Sequence, residues 1–310
     1  MSRDVGYWLQ QVLNIVQLAG FYMPLAAAFA LLQGITRRVF LSFGDLAMYG
    51  SFAAIYACFA ALLRGDGDVL AVATALLLAL LSTGAFGYFI AKGIFGTNLL
   101  RHAQAFMIAS VGLSIAIQEA MRLNSLSRDV WVPPLLQGIN LFYFPGDFSV
   151  KLAAMSAVAT LVSIASLASL GLIMRFTRFG REWRACAQSL RLAALCGVNA
   201  TQVVAMTFVV ASSLAAVSGW MSAISYGGTN FTIGLMMGFK AMFASVVGGF
   251  GSVRGAILGA IALATAEVLW SATFSSTYRD VAVFVIIVVI LMLRPEGLAG
   301  QARRRESEEQ

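Results

Sequence analysis

Long apolar runs, each near the roughly 20 residues that cross a bilayer as a helix, alternate with short polar breaks along almost the whole chain. Windows of about 19 residues place candidate spanning helices at 9–33, 45–63, 69–91, 104–122, 151–174, 202–225, 236–249, 255–272 and 279–293. The seventh is short and rich in glycine, which predicts a broken or tilted crossing. The pattern therefore predicts an all-α, polytopic helical membrane protein of eight or nine spans. It forms a single transmembrane domain over 1–300, followed by a charged tail at 301–310.

Composition agrees with that solvent. The 310 residues are 60% apolar and 11% charged, whereas soluble domains carry about a quarter charged residues. A net charge of +7 would suggest nucleic acid in a soluble chain. In a chain of spans it is read as positive charge retained in the cytoplasm, and no nucleic-acid partner is expected. If 175–201 is cytoplasmic, 14 of the 21 Lys and Arg fall on that side, six fall opposite, and Lys240 lies within a span. That asymmetry predicts an inner-membrane protein with its N-terminus outside and its C-terminus in the cytoplasm. The opening MSRDVGYW lacks a basic n-region, and Gln10, Gln11, Asn14 and Gln17 interrupt the apolar stretch behind it. A retained first helix is expected rather than a cleaved signal. The longest outer connection, 123–149, contains Pro133-Pro134 and the interface-favouring Trp131, Phe142, Tyr143 and Phe144. It reads as a loop lying on the membrane or as a landing surface for an external protein.

Polar residues inside spans are few and patterned. Gln10, Asn14 and Gln17 share one helical face, as do Ser110, Ser114 and Gln118, and Ser218, Ser222 and Ser225. With Ser42, the ionisable Asp45, Glu119, Lys240 and Glu267, they are candidates for a translocation path or for bonds between helices. A charge at the bilayer centre costs at least about 2.5–3.5 kcal/mol unless paired or hydrated. Gly251, Gly255 and Gly259 recur every four residues and clear a face for close helix packing. The preceding GGFG, including Gly248 and Gly249, interrupts helical geometry and is a candidate hinge.

The chemistry absent from the sequence narrows the function. No G-x-x-x-x-G-K-[ST] occurs, so no phosphate-cradling loop and no ATP hydrolysis by this chain are expected. His102 is the single histidine, and Cys58, Cys186 and Cys196 lack metal-ligand spacing. No catalytic arrangement, cofactor or metal site is expected.

The polar segment 175–199, RFTRFGREWRACAQSLRLAALCGVN, carries the most information. Gly180 is expected to break the preceding helix. Beyond it, Arg184, Gln188 and Arg191 fall on one face, and Trp183, Ala187 and Leu190 on another, which predicts one short amphipathic helix. GREWRACAQSLRLAALCGVN resembles the G-R-x-x-R-A-x-A-Q-(x)n-A-x-x-x-G-(I/V)-N signature of the permeases of bacterial ABC systems that import branched-chain amino acids. GFKAMFASVVGGFGSVRGAILGA at 238–260, the R-P-x-G-L-x-G ending of 278–300, and SFGDLAMYG at 42–50 are similar to further family motifs. In the last of these, Ser42 and Asp45 depart from the family's usual Asn and His or Gln.

The resemblance implies a permease that works with a second related permease, two cytoplasmic ATPase subunits and an external solute-binding protein. It implies that Gly180, Arg181, Arg184, Ala185, Ala187, Gln188, Ala194, Gly197 and Asn199 form the segment that couples to the ATPases. The implied solute is a branched-chain or related amino acid, with urea or a short amide as an alternative. The competing classes are an ion-coupled secondary transporter and a membrane protein with a purely structural role.

Overall fold

The computed structural model describes residues 2–65, 67–96, 103–132, 140–144, 150–294 and 297. Eleven helices are present among them: α1 (Ser2–Thr36), α2 (Phe43–Leu63), α3 (Asp68–Gly96), α4 (Ala103–Asn124), α5 (Ala154–Phe176), α6 (Arg178–Gln188), α7 (Leu190–Leu195), α8 (Ala200–Tyr226), α9 (Ile233–Gly248), α10 (Val253–Thr273) and α11 (Arg279–Leu293). Seven of them (α1 to α5, α8 and α10) are long and apolar enough to cross a membrane. Each expected span appears as a helix. The seventh, α9, has 16 residues, a rise of about 24 Å, short of the roughly 30 Å hydrocarbon core.

Four short strands appear among the described residues that the apolar pattern did not predict. β1 (Val130–Trp131) pairs antiparallel with β4 (Gly228–Thr229), and β2 (Asn140–Phe144) with β3 (Val150–Ala153). The expected helix from 151 therefore begins at Ala154. An apolar run too short for periodicity to show does not distinguish strand from helix, and pairing with β2 decides it. Pro133 and Pro134, His102 and the tail beyond 297 lie outside the described residues. Trp131 is exposed.

Burial separates inner from outer helices. The spanning portions of α1 and α8 are 78% and 72% buried, against 22% for α4 and 17% for α5. The core is assembled by rings and by missing side chains. Phe40, in the α1–α2 connection, meets Phe43, Phe208 and Phe106 edge-on or tilted at 5.0, 5.2 and 6.0 Å between centroids. It thereby joins α2, α8 and α4. Lipid tails are as apolar as leucine, so helices in a membrane gain chiefly by close packing. Here a Cβ on Gly248 would strike the Gly255 carbonyl, and one on Gly259 would strike that of Ala244, so α9 and α10 touch backbone to backbone. The α2–α9 contact is built alike from Gly44, Gly234 and Gly238.

Gly259→Val should force α9 and α10 apart and lower the melting temperature of the purified chain in detergent by several degrees. Gly112→Ala, in a helical position with nothing within 4 Å, should be neutral or gain about 0.5–1 kcal/mol from helix propensity. Equal melting temperatures for the two variants would show that the glycine row does not set the packing.

Candidate functional site

The segment between α5 and α8 is built by capping. Thr177 Oγ1 accepts from the Gly180 backbone N–H at 3.3 Å and starts α6. The preceding helix thus ends at Phe176, four residues before the break expected at Gly180. Gly180 instead lies inside α6, buried, where a Cβ would collide with the Met174 carbonyl. The Arg184 guanidinium donates to that same carbonyl at 2.5 Å. Two signature residues, Gly180 and Arg184, therefore serve one carbonyl at the end of α5, where helix carbonyls lack partners of their own.

The expected single amphipathic helix is two. Ser189 leaves helical geometry, and its Oγ accepts from Leu192 N–H at 3.3 Å to start α7. A serine that caps the next helix competes with continuation of the first, so Arg191 lies beyond the break and not on the Arg184 face. Gly197 holds φ of 84° after α7, with Val198 N–H reaching the Ala193 carbonyl at 3.1 Å. Asn199 Oδ1 then accepts from Gln202 N–H at 3.1 Å and opens α8. Ala185 and Ala187 are half-buried, and Ala194 is exposed. Burial pushes the Cys186 thiol up, with the Glu182 carboxylate adding to it.

Three motifs separated in sequence meet here. Trp183 of α6 is buried against Gly34 near the end of α1, where a Cβ would overlap its ring. Gly251 of the GGFG turn packs on Gly34, and Gly297, after α11, packs on Gly249. Arg37 donates to the Gln188 carbonyl at 3.3 Å. A cleft of about 500 Å³ opens between α6, the end of α1 and the GGFG turn. Arg181, Arg184 and Gln188 present the exposed face of α6.

The polar residues of the spans fall into two clusters. In the first, Asp45 is buried in the opening turn of α2, and Ser114 Oγ and Gln118 Nε2 of α4 donate to its two oxygens, the latter at 2.8 Å. Ser42 Oγ donates to the Ser110 carbonyl at 2.6 Å. These bonds tie the sparsely buried α4 to α2. Glu119 stands apart: it is exposed and pairs with Arg122 on its own helix.

The second cluster lies near the opposite face from α6. Lys240 Nζ donates to Glu267 Oε1 at 2.9 Å and to Asp280 Oδ1 at 2.8 Å, and Tyr22 Oη donates to Glu267 Oε2 at 2.9 Å. Arg279 Nε lies 3.2 Å from Glu267 Oε1. A cavity of about 220 Å³ adjoins this cluster, bordered by Asn14, Gln17, Ser225 and Arg279. Asn14 and Gln17, predicted as path residues, thus come together with Arg279, while Lys240 and Glu267 pack behind it. Arg279, Asp280 and Tyr22 were not among the expected path residues. The adjacent Arg-Asp at the start of the last span was the available signal.

Removing one partner from a buried ion pair costs about 3–5 kcal/mol, far more than replacing both by neutral groups. Lys240→Met should therefore destabilise the chain in detergent more than Lys240→Met combined with Glu267→Gln. A double variant at least as unstable as the single would mean that the pair does not act as a unit.

Comparison with known proteins follows the same outline. The family model described as branched-chain amino acid transport system / permease component matches residues 11–293. The high-affinity branched-chain amino acid transport system permease protein LivH of Salmonella typhimurium is 34% identical over 302 residues, covering 97% of this chain and 98% of that one. LivH of Escherichia coli K12 matches to the same extent. BraD of Pseudomonas aeruginosa, described in the same words, is 31% identical over 299 residues, covering 96% of this chain and 97% of its own length.

Proposed function

The chain belongs to the permease family of branched-chain amino acid transport systems, and we propose that it is the membrane subunit of an ATP-driven importer of branched-chain amino acids. In this reading it forms the translocation path with a second, related permease. Two ATPase subunits bind at the α6–α7 end, and a solute-binding protein delivers from the other side. The N-terminus then lies outside and the C-terminus in the cytoplasm, the arrangement that the charge asymmetry supports.

The observation that carries the reading is the junction around Trp183. A short polar helix is held to the end of α1 through Trp183 and Arg37, to the end of α5 through Gly180 and Arg184, and packs on α8, while the α9–α10 turn joins it through Gly34. A push on α6 is therefore delivered to three spanning helices at once. That is what a subunit driven by an external ATPase needs, since ATP has only to bias two packings of similar stability. The backbone contacts of Gly248, Gly255 and Gly259 make the α9–α10 pair move as a unit, with bending confined to Gly249 and Gly251.

ATP-driven uptake of leucine, isoleucine or valine should appear when the chain is reconstituted with its ATPase, second permease and solute-binding protein. Uptake driven by an ion gradient in vesicles without ATP would instead support a secondary transporter.

The geometry also separates docking from folding within α6. Arg181 and Gln188 are exposed, and their side chains bond no described residue. Arg181→Ala with Gln188→Ala should cut solute-stimulated ATPase activity at least about tenfold, a coupling loss of about 1.4 kcal/mol, at unchanged melting temperature. Arg184→Ala should lower stability as well, because the Met174 carbonyl loses its donor. Normal stimulation in the double variant would remove this face of α6 from the coupling contact.

A further inference from the structure

The cavity beside Arg279 has two chemically distinct ends. Leu18, Phe21, Met221 and Val268 supply an apolar wall, and Asn14, Gln17, Ser225 and Arg279 a polar one. Its 220 Å³ equals about seven water volumes of roughly 30 Å³ each, room for a small solute and too little for a peptide. Small-molecule sites characteristically combine an apolar surface with a few converging polar groups.

The polar end has unused bonding capacity. Arg279 Nε is buried and lacks an aligned acceptor, although Glu267 Oε1 is 3.2 Å away. The Ser225 hydroxyl also has no partner. Gln17 donates to Ser156 at 3.0 Å, and its Oε1 accepts from no described residue. Polar atoms left unpaired in the interior cost about 1–3 kcal/mol each, so a ligand or water that satisfies them is favoured there. One and two turns inward along α8, the hydroxyls of Ser222 and Ser218 are likewise buried and unpartnered. The row extends the polar surface from the cavity towards the core.

The charge balance specifies the class of solute. Lys240 and Arg279 face Glu267 and Asp280, two cations against two carboxylates. A solute with net charge would upset that balance beside the buried Lys240 and Glu267, where charges interact strongly. A zwitterion would not. We infer that this cavity is a receiving site for a zwitterionic α-amino acid with an aliphatic side chain: its carboxylate meets Arg279, its ammonium the oxygens of Asn14, Gln17 and Ser225, and its side chain the Phe21–Met221 wall. The inference rests on the permease reading above and adds where in the chain the solute first binds.

The test uses thiol protection in the assembled complex, with the solute-binding protein left out so that its own specificity does not interfere. Ser225→Cys is introduced with Cys58→Ala, Cys186→Ala and Cys196→Ser. The rate at which the new thiol reacts with a small methanethiosulfonate is then measured in proteoliposomes. Leucine should slow the reaction about tenfold at roughly ten times its dissociation constant. Isocaproate, which lacks the ammonium, and isoamylamine, which lacks the carboxylate, should protect little at the same concentration. Adding Arg279→Gln should abolish protection by leucine, and Arg279→Lys should restore much of it. No protection by leucine, or equal protection by all three compounds, overturns the site. ATP-driven leucine uptake by the full complex, solute-binding protein included, separates the two failures. Uptake without protection leaves the permease reading standing and removes the cavity, whereas no uptake even with the unsubstituted chain removes both.

Discussion

The close approach of backbones is the constraint on which this architecture depends. In a bilayer the tails compete equally for apolar side chains, so helices gain from one another mainly where dispersion contacts are denser than lipid provides. The short helix α9 meets that requirement on two sides with almost no side chains between. Gly44 of α2 lies against Gly234 and Gly238, and Gly255 and Gly259 of α10 lie against Gly248 and the Ala244 carbonyl. A helix too short to span alone is thereby held between two longer ones. The same device recurs at the α6 end, where Gly34 and Gly251 meet, and where Gly297 meets Gly249.

Polar bonds complement this packing by adding direction. Dispersion tolerates sliding along a smooth face, whereas a hydrogen bond in a poorly solvated interior fixes register. Asp45 with Ser114 and Gln118 fixes α4 on α2, and Ser245 Oγ donating to Gln33 Oε1 at 3.1 Å fixes α9 on α1. Lys240, Glu267, Asp280 and Tyr22 pin α9, α10, α11 and α1 together at one point. A transport cycle that rearranges these helices must move such groups as intact clusters, because separating the partners would strand charges in the interior.

Much of the family signature in 180–199 is occupied with chain geometry. Gly180 and Arg184 both answer to the Met174 carbonyl, Gly197 supplies the left-handed residue after α7, and Asn199 caps α8. Of the signature residues on α6, Arg181 and the Gln188 side chain remain exposed and uncommitted. The motif thus encodes a sharply folded segment with a small free face.

The placement of the apolar helices was legible in the sequence because a bilayer dictates long apolar runs and local hydropathy reports them directly. Ser110, Ser114 and Gln118 could also be read as one face, since 3.6 residues per turn makes that a local property. Where those faces point was not legible. Nothing near Asp45 in sequence announces Ser114 and Gln118 as its partners, and Asn14 and Arg279 meet only because α1 and α11 pack on the same helices. The two departures in local structure have the same origin. Ser189 splits the expected helix because its side chain bonds forward to Leu192, and residues 150–153 become a strand because β2 lies beside them. Sequence alone determined the solvent and the spans, both of which follow from composition and local period. Tertiary structure decided which polar groups are paired, which are left open beside Arg279, and which three helices α6 grips, because each depends on contacts between segments far apart in the chain.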